Sequence, residues 1–426
     1  MCGQGQTNSC NIDASRQRVR ASLAHTEPDR IVVDLGATTS SGISGIAYDR
    51  LKTHLGMRSG QTCIFDVIQQ LARVEDEMLE TFGVDVASLG RQLDQQSGAW
   101  YPVTLAQGTE VQWPTHFRPV VRADGSRDAV DSQGKVIGRM PAGGPFFDQV
   151  HFPYVDGYPD SFEDLADAMS QVLWGRFPRM PWQSAGESDF WERLRAGGIE
   201  LREKTGRALV VSVGCNMLEW GMFLRRMDQF LMDLHAEPYE VERFLEALTE
   251  HHLAFLARAV EAVGDIADVF RFGDDLGMVQ GPLISPELYR RFFKPRHKLL
   301  CDYVKSHTDA FTLLHSCGSI YELIPDLIEA GFDCINPVQT NCRDMDPARL
   351  KRQFGRELVF WGGGCDTRTV LNNARAREVK DHVRRNLDIF APGGGFVFCT
   401  VHNILPEVPP ENIAAMFEAV GEFTGS

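Results

Sequence analysis

The chain contains no apolar run close to the roughly 20 residues that a membrane-spanning helix requires. Its first residues, Met1 to Cys10, have neither the basic region nor the apolar region of a secretory signal. Basic residues are few, since 43 Lys and Arg face 58 Asp and Glu and leave a net charge of -15. Phosphate backbones and anionic membranes repel such a chain. We therefore expect a cytoplasmic protein that binds neither nucleic acid nor membrane.

Two further signatures are missing, and each absence narrows the classes of protein. No glycine fingerprint of the dinucleotide-binding type follows the first strand, and no phosphate-loop lysine follows either triple-glycine run. The ten cysteines are not concentrated in a short chain but scattered over 426 residues, which favours reduced thiols over a disulfide framework. Some of these thiols are therefore available as metal ligands.

The hydrophobic pattern changes along the chain. A buried strand is predicted at Arg30 to Gly36, and helical spacing follows from Ile64 to Phe82. From about residue 98 to 158 the chain shows short β-like runs broken by Gly and Pro. We interpret residues of roughly 95–160 as an antiparallel β insertion, with a set of extended loops as the alternative.

From about residue 160 onward, strand-like runs alternate with amphipathic helical runs, the pattern of βα units in a parallel sheet. The predicted strands are Ala208 to Val213, Ala267 to Phe272, Ala310 to His315, Cys334 to Asn336, Leu358 to Trp361 and Gly395 to Cys399.

These strands, with the one at Arg30 to Gly36, nearly complete an eightfold barrel. The predicted fold class is therefore α/β, a (β/α)₈ TIM barrel carrying the antiparallel β insertion, as a single domain over residues 1–426. The alternative is an open doubly wound sheet, which the missing glycine fingerprint does not favour.

In TIM barrels the chemistry lies where strands end, and His315 and Cys317 lie at such a place. They are two residues apart, so on an extended backbone both side chains point the same way. An imidazole and a thiolate together suit zinc. Taken alone, the pair also fits a buried thiol beside a hydrogen-bonded histidine.

Further candidate ligands follow later strands. Cys365 comes directly after the strand that ends at Trp361, and Cys399 and His402 end the last strand. All three would reach a common centre with His315 in a closed barrel. The three are therefore competing candidates for the remaining ligands.

Acidic side chains also follow strands. Asp274 and Asp275 come after Phe272, and Asp34 lies near the end of the first strand. Paired like charges at a strand end are costly unless a cation or hydrogen bonds offset them. We expect Asp275 and Asp34 to be catalytic, orienting the substrate or handling its proton, and Asp274 to be solvated.

At these residues the sequence resembles the uroporphyrinogen decarboxylase superfamily, and within it the zinc-containing, corrinoid-linked methyltransferases. The matching features, in chain order, are an early Arg-X-Arg helix, Pro28-Asp-Arg, Asp34-Leu-Gly, Gly273-Asp-Asp-Leu-Gly, Ser285-Pro-Glu-Leu-Tyr, Lys294-Pro-Arg-His, His315-Ser-Cys-Gly, Gly363-Gly-Cys-Asp, Pro392-Gly-Gly-Gly, His402-Asn-Ile-Leu-Pro and Pro409-Pro-Glu-Asn-Ile.

The resemblance implies a barrel that binds zinc through His315, Cys317 and a later residue. In the methanol and methylamine coenzyme M methyltransferases that later ligand is a cysteine, whereas this chain has His402 at the corresponding place. We rank His402 first, with Cys365 and Cys399 as competitors. The decarboxylase itself is disfavoured, because the arginine-rich segment that follows its first strand is here Asp34-Leu-Gly-Ala-Thr-Thr39.

The resemblance also implies methyl transfer between a small substrate (a methyl ether, methanol or a thiol) and a corrinoid, or cobalamin, cofactor. The chain contains no Asp-X-His-X-X-Gly motif for corrinoid binding, so we expect the corrinoid on a partner protein. Two alternatives remain: a decarboxylase of a small carboxylic acid, and a metal-binding or corrinoid-delivery protein without chemistry of its own.

Overall fold

A parallel sheet of seven strands organises the molecule. The computed structural model describes residues 13–57, 60–95, 99–105 and 108–423. The order of the strands in the sheet follows their order in the chain. They are Val86–Ser88, Ala208–Gly214, Val269–Gly273, Phe311–His315, Cys334–Asn336, Val359–Trp361 and Phe396–Val397.

The segment around Val33 closes this sheet into a barrel. Val33 forms a parallel bridge with Phe398, and the Asp34 amide donates to the Phe398 carbonyl at 2.8 Å. On its other side, the Asp85 amide donates to the Val33 carbonyl at 2.9 Å. This segment therefore lies between the first and last strands of the sheet as an eighth member. The predicted TIM barrel is confirmed, and the open-sheet alternative is wrong.

Helices surround the barrel and pack on it through apolar faces. In Ala376–Phe390, for example, Val379, Val383, Leu387 and Phe390 are buried at the spacing of one helical face. The helices are Ala14–Leu23, Gly45–His54, Asp76–Thr81, Leu165–Ser170, Leu173–Arg176, Phe190–Thr205, Leu218–Arg225, Met227–Ala236, Pro238–Val263, Pro286–Leu288, Lys294–His307, Ile324–Glu329, Pro347–Phe354, Ala376–Phe390 and Pro410–Gly421.

Short turns of other helix types complete the set. The 3₁₀ turns are Arg91–Gln95, Trp182–Ser184 and Tyr321–Leu323, and the π turns are Tyr289–Phe293 and Thr367–Leu371. Within the described part of the chain, no helix combines the length and apolar character that crossing a membrane requires.

The predicted antiparallel insertion is confirmed. Its strands pair as a hairpin, Trp100–Thr104 with Glu110–Pro114, and as a four-stranded sheet. That sheet consists of Val120–Val121, Arg127–Val130, Val136–Met140 and Asp148–Gln149. The insertion has its own apolar core, which also includes Ile64 and Leu173 from outside residues 95–160.

The helix predicted from Ile64 to Phe82 is wrong over most of its length. Strands Ile64–Asp66 and Leu71–Ala72 pair antiparallel there, and only Asp76–Thr81 is helical. The physical reason is the turn between the strands, where the Asp66 carboxylate accepts hydrogen bonds from two backbone amides. Such side-chain to backbone bonds compete with helix formation.

Candidate metal site

Three side chains converge at the carboxyl ends of the barrel strands. His315 is the last residue of its strand, Cys317 follows two residues later, and His402 lies beyond the last strand. One ligand atom from each lies within 4.8 Å of the other two. The Cys317 Sγ and the His315 Nε2 are 3.5 Å apart. The structure therefore brings together three of the four residues predicted from the sequence as metal ligands.

The backbone around Cys317 is held by short-range packing and hydrogen bonds. The Cys317 amide donates to the Asp275 carboxylate at 2.8 Å, and the chain then turns at Gly318, where φ is +87°. A Cβ at Gly318 would lie 2.3 Å from the carbonyl carbon of Gly277. Only glycine fits such a close approach. The turn after the thiol thus depends on Gly318.

The imidazole of His315 is oriented by Asn336. The His315 Nδ1 lies 2.9 Å from the Asn336 Oδ1, and the Asn336 Nδ2 donates to the Trp361 carbonyl at 2.9 Å. This second bond fixes the amide so that its oxygen accepts from Nδ1–H. The Nε2 lone pair of His315 is then directed toward Cys317. A metal-binding histidine usually has such a partner on its other nitrogen.

The electrostatics of the three side chains suit a divalent cation. Burial, reinforced by the nearby Arg271, lowers the pKa of His315 to about 3, and burial also lowers the pKa of His402. Both rings are therefore neutral donors at physiological pH. Burial raises the pKa of the Cys317 thiol. Two neutral imidazoles and a thiol that loses its proton to a metal form a donor set that fits zinc with one position open.

The structure places Cys365 and Cys399 outside this cluster. Cys365 is fully buried, and its backbone forms a parallel β-bridge with Thr400. Its Sγ lies 4.0 Å from the Asp366 carbonyl. The Cys399 Sγ lies 3.9 Å from the Asn336 Nδ2. Neither is in the group of described residues whose ligand atoms converge. The prediction that Cys365 is a ligand therefore receives no geometric support.

Asp34 is buried, and it is not among the described residues that line the cavity next to the cluster, which is described below. Its carboxylate accepts from the Trp361 Nε1 at 2.8 Å and from the Ala37 amide at 3.0 Å. Burial raises the pKa of Asp34 to about 6. These contacts fit a positioning role better than the predicted contact with substrate.

The prediction that Asp274 is solvated is wrong. Asp274 is fully buried and accepts from the amides of Leu218 and Glu219, both at 2.9 Å, at the start of a helix. A carboxylate at this position satisfies amides that the helix leaves unpaired. Asp275, in contrast, lies beside the cluster, with Oδ1 3.6 Å from the His315 Nε2.

The cluster opens into a cavity of about 620 Å³ at the carboxyl ends of the strands. Its polar lining includes Asp275, Glu219, Arg271, Arg179, His315 and His402. Its apolar lining includes Trp174, Phe177, Trp182, Trp220, Phe223 and Phe255.

Sequence reasoning missed Glu219, Arg179 and Arg271 among these side chains. The signal for Arg271 was present, because it is a charged residue in the middle of the apolar strand Val269–Gly273. Burial and the neighbouring Asp275 raise the pKa of Glu219 well above its usual value. Titratable groups with strongly shifted pKa values in a cleft are typical of functional sites.

Fold and site together define a TIM-barrel protein with a candidate metal site at the mouth of the barrel. The family model for uroporphyrinogen decarboxylase (URO-D) matches residues 211–423, half of the chain. The chain therefore belongs to the uroporphyrinogen decarboxylase family. This match includes His315, Cys317, His402 and Asp275, whereas Asp34 lies outside it.

Among curated proteins, the chain is similar to uroporphyrinogen decarboxylases of several bacteria. It is 26% identical to that of Legionella pneumophila over 214 residues, 50% of this chain and 56% of the relative. It is 25% identical to that of Syntrophotalea carbinolica over 233 residues, 53% of this chain and 63% of the relative. The chain thus spans less than two thirds of the length of these relatives.

Among solved structures, a methyltransferase from Methanosarcina mazei has a similar fold. The TM-score is 0.56 at 19% identity, with 96% of this chain and 98% of that chain covered. This similarity extends over the whole barrel and shows a fold shared with a methyltransferase.

Proposed function

We propose that this chain is a zinc-dependent methyltransferase that moves a methyl group between a small substrate and a corrinoid carried by a partner protein. The substrate classes are a methyl ether, methanol or a thiol. The observation that carries the proposal is the convergence of His315, Cys317 and His402 within 4.8 Å beside a cavity. Membership in the uroporphyrinogen decarboxylase family and the methyltransferase-like fold support it.

The three side chains would hold zinc in this scheme. Bound there, zinc supplies Lewis acidity, which stabilises negative charge on an oxygen or sulfur of the substrate. His315 is held in position by Asn336, and Cys317 by the bond from its amide to Asp275. The open side of the cluster faces the cavity, where His315 and His402 form part of the wall.

Asp275 has a second task in the proposed reaction. Its carboxylate lies 3.6 Å from the His315 Nε2 and lines the cavity, so it can orient a substrate hydroxyl or hold its proton. When a methyl group leaves an ether oxygen, that oxygen keeps the bonding electron pair and later takes up a proton. Asp275 lines the cavity beside the candidate ligands, whereas Asp34 is hydrogen-bonded to Trp361.

The aromatic part of the cavity wall suits a small substrate with an apolar body. Trp174 stacks on Phe223 with ring centroids 5.6 Å apart, and Trp220 meets Phe223 edge to face at 5.6 Å. Such rigid rings exclude water from the reacting end of the substrate. A dry cavity strengthens every charge interaction within it.

The test is methyl transfer from methanol, anisole and methyl thioethers to free cob(I)alamin, followed through the change in corrinoid absorbance. We expect turnover with at least one donor, and its loss in Cys317→Ser. The matched control is His307→Ala, a surface histidine that contacts Tyr303 and Ser306. Turnover that survives Cys317→Ser unchanged would contradict the proposal.

Two other outcomes identify the alternatives. Release of CO₂ from small carboxylic acids without methyl transfer indicates a decarboxylase. Stoichiometric zinc without methyl transfer from any donor, and without transfer from methylcobalamin to a thiol, indicates a metal-binding or corrinoid-delivery protein.

A further inference from the structure

We propose that the substrate carries a carboxylate, which Arg271 and Arg179 bind inside the cavity while the methyl-bearing end faces His315 and His402. This inference rests on the proposed function and names the substrate class for the same site. It assigns two binding residues that the metal cluster does not require.

Arg271 lines the cavity and has one hydrogen-bond donor without a partner. It lies in strand Val269–Gly273, is 7% exposed and lines the cavity. In the described part of the chain, its Nε has no hydrogen-bond partner. A buried donor without a partner is costly, so proteins rarely keep one without a use. The missing partner is an acceptor that arrives with the ligand.

A second unused donor lies beside Arg271 on the neighbouring strand. Ser212 is in register with Arg271, is buried, and also lines the cavity. Its Oγ has no hydrogen-bond partner among the described residues. Two unsatisfied polar atoms, on adjacent residues that line one cavity, form a polar subsite within an otherwise apolar barrel interior.

Arg179 adds a second cation to the same cavity. Burial and the nearby charge of Arg271 lower the pKa of Arg179 to about 9. The two guanidinium groups therefore repel each other in the protein without a ligand. An anion bound in this cavity by both side chains relieves this repulsion and gains charge-assisted hydrogen bonds.

The acidic groups near the arginines already have other partners. Asp66 accepts from two backbone amides and from the Gln69 side chain. Glu219 accepts from the Asn216 side chain and from the Asp275 amide. Asp275 accepts from the Cys317 amide. In the residues that the structure describes, none of them forms an ion pair with either arginine.

A carboxylate fits these donors. A guanidinium is a planar fork that matches the two oxygens of a carboxylate. Arg271 is close enough to the cluster for its charge to act on both His315 and His402. One small molecule can therefore reach the arginines with one end and the candidate metal site with the other. The aromatic wall, with Trp174 on Phe223, accommodates a flat body between the two ends.

The test uses equilibrium binding, which needs no methyl transfer. Trp174, Trp182 and Trp220 line the cavity, so tryptophan fluorescence reports occupancy. The probes are 4-methoxybenzoate, the neutral 4-methoxybenzamide and 4-methoxybenzenesulfonate, each titrated into the purified protein at pH 7.5. We expect the benzoate to bind at least tenfold more tightly than the amide. Equal affinity for the two would overturn the proposal.

Variants separate binding from a structural role. Arg271→Met is expected to lose at least tenfold in affinity for the benzoate and to leave the amide unaffected. Tm is measured alongside, because the variant also removes the positive charge that acts on Glu219 and Asp275. The control is Arg352→Met on the surface. Unchanged benzoate affinity in Arg271→Met, or a lower Tm as its only effect, would overturn the assignment.

Two further arms identify what holds the anion. Benzoate binding that persists after zinc chelation supports the arginines, and binding that disappears with chelation but survives Arg271→Met overturns them. Equal affinity for the sulfonate overturns the restriction to carboxylates. Selective benzoate binding without methyl transfer from any donor would contradict only the proposed function, so the two failures are distinguishable.

Discussion

The Nδ1 of His315 lies 2.9 Å from the Oδ1 of Asn336, on the neighbouring strand of the barrel. The amide of Asn336 is fixed in turn by the Trp361 carbonyl. The hydrogen bond between His315 and Asn336 therefore determines which ring nitrogen of His315 faces Cys317. Only when the unprotonated Nε2 faces Cys317 does the candidate metal site have three usable donors.

Replacing Asn336, which orients the His315 ring, should weaken zinc binding without removing a metal ligand. Asn336→Leu is expected to reduce zinc affinity by about 10- to 100-fold, since partners of metal-binding histidines typically contribute that much. Competition with a chromophoric chelator measures the affinity. Asn373→Leu is the control, because Asn373 is exposed and bonds only to the Arg368 carbonyl among described contacts. Equal zinc affinities in both variants would show that Asn336 does not orient His315.

Gly318→Ala should disturb the turn behind Cys317. The new Cβ would lie 2.3 Å from a backbone carbon of Gly277 at a φ of +87°. Gly143→Ala is the matched control, with φ +71° and no atom within 4 Å of its Cβ. The free energy of unfolding of the control should fall by about 1 kcal/mol, the cost of an alanine in the left-handed conformation. That of Gly318→Ala should fall by at least about 2 kcal/mol more. Chemical denaturation measures both, and equal losses would contradict the close approach.

Asp34 should make stability depend on pH in an identifiable way. Its pKa is raised from 3.8 to about 6 in the folded protein. Between these pH values the folded state holds a proton that the unfolded state has released, so this contribution to stability falls as pH rises. As pH rises from 3.8 to values above 6, the free energy of unfolding of Asp34→Asn should therefore increase by about 3 kcal/mol relative to that of the wild type.

Denaturation at a series of pH values tests this expectation. A difference between Asp34→Asn and wild type that stays constant with pH would contradict the raised pKa. The same variant also tests the catalytic role predicted for Asp34. We expect its turnover to stay within about tenfold of wild type, because a misplaced Trp361 affects the site only indirectly. A loss above a hundredfold in a folded variant would make Asp34 catalytic.

The barrel could be predicted because its strands are buried on both faces and appear as continuous apolar runs. Two parts of the fold escaped this reasoning. Val86–Ser88, the second barrel strand, was missed because the charged Asp85 interrupts the apolar run that contains it. The region from Ile64 has apolar spacing that fits a helix, yet the turn held by Asp66 produces two strands.

The candidate site was predictable where residues follow strands closely, as His315 and Cys317 do. Cys365 also follows a strand, but its side chain is buried in the bridge to Thr400 and does not face the cluster. Periodicity cannot predict this direction, because glycines at 362 and 363 with positive φ reorient the chain before Cys365. Arg179 was missed for a different reason, since it lies in a segment between helices that has no periodic pattern.

The most direct test of the account is the zinc content of purified protein and of three single variants, measured by elemental analysis. We predict one zinc per chain in the wild type and in Cys365→Ser, whose thiol lies outside the cluster. Cys317→Ser and His402→Ala should lose most of the metal while remaining folded. Full zinc occupancy in both of these variants, or loss of zinc in Cys365→Ser alone, would contradict the assignment of the site.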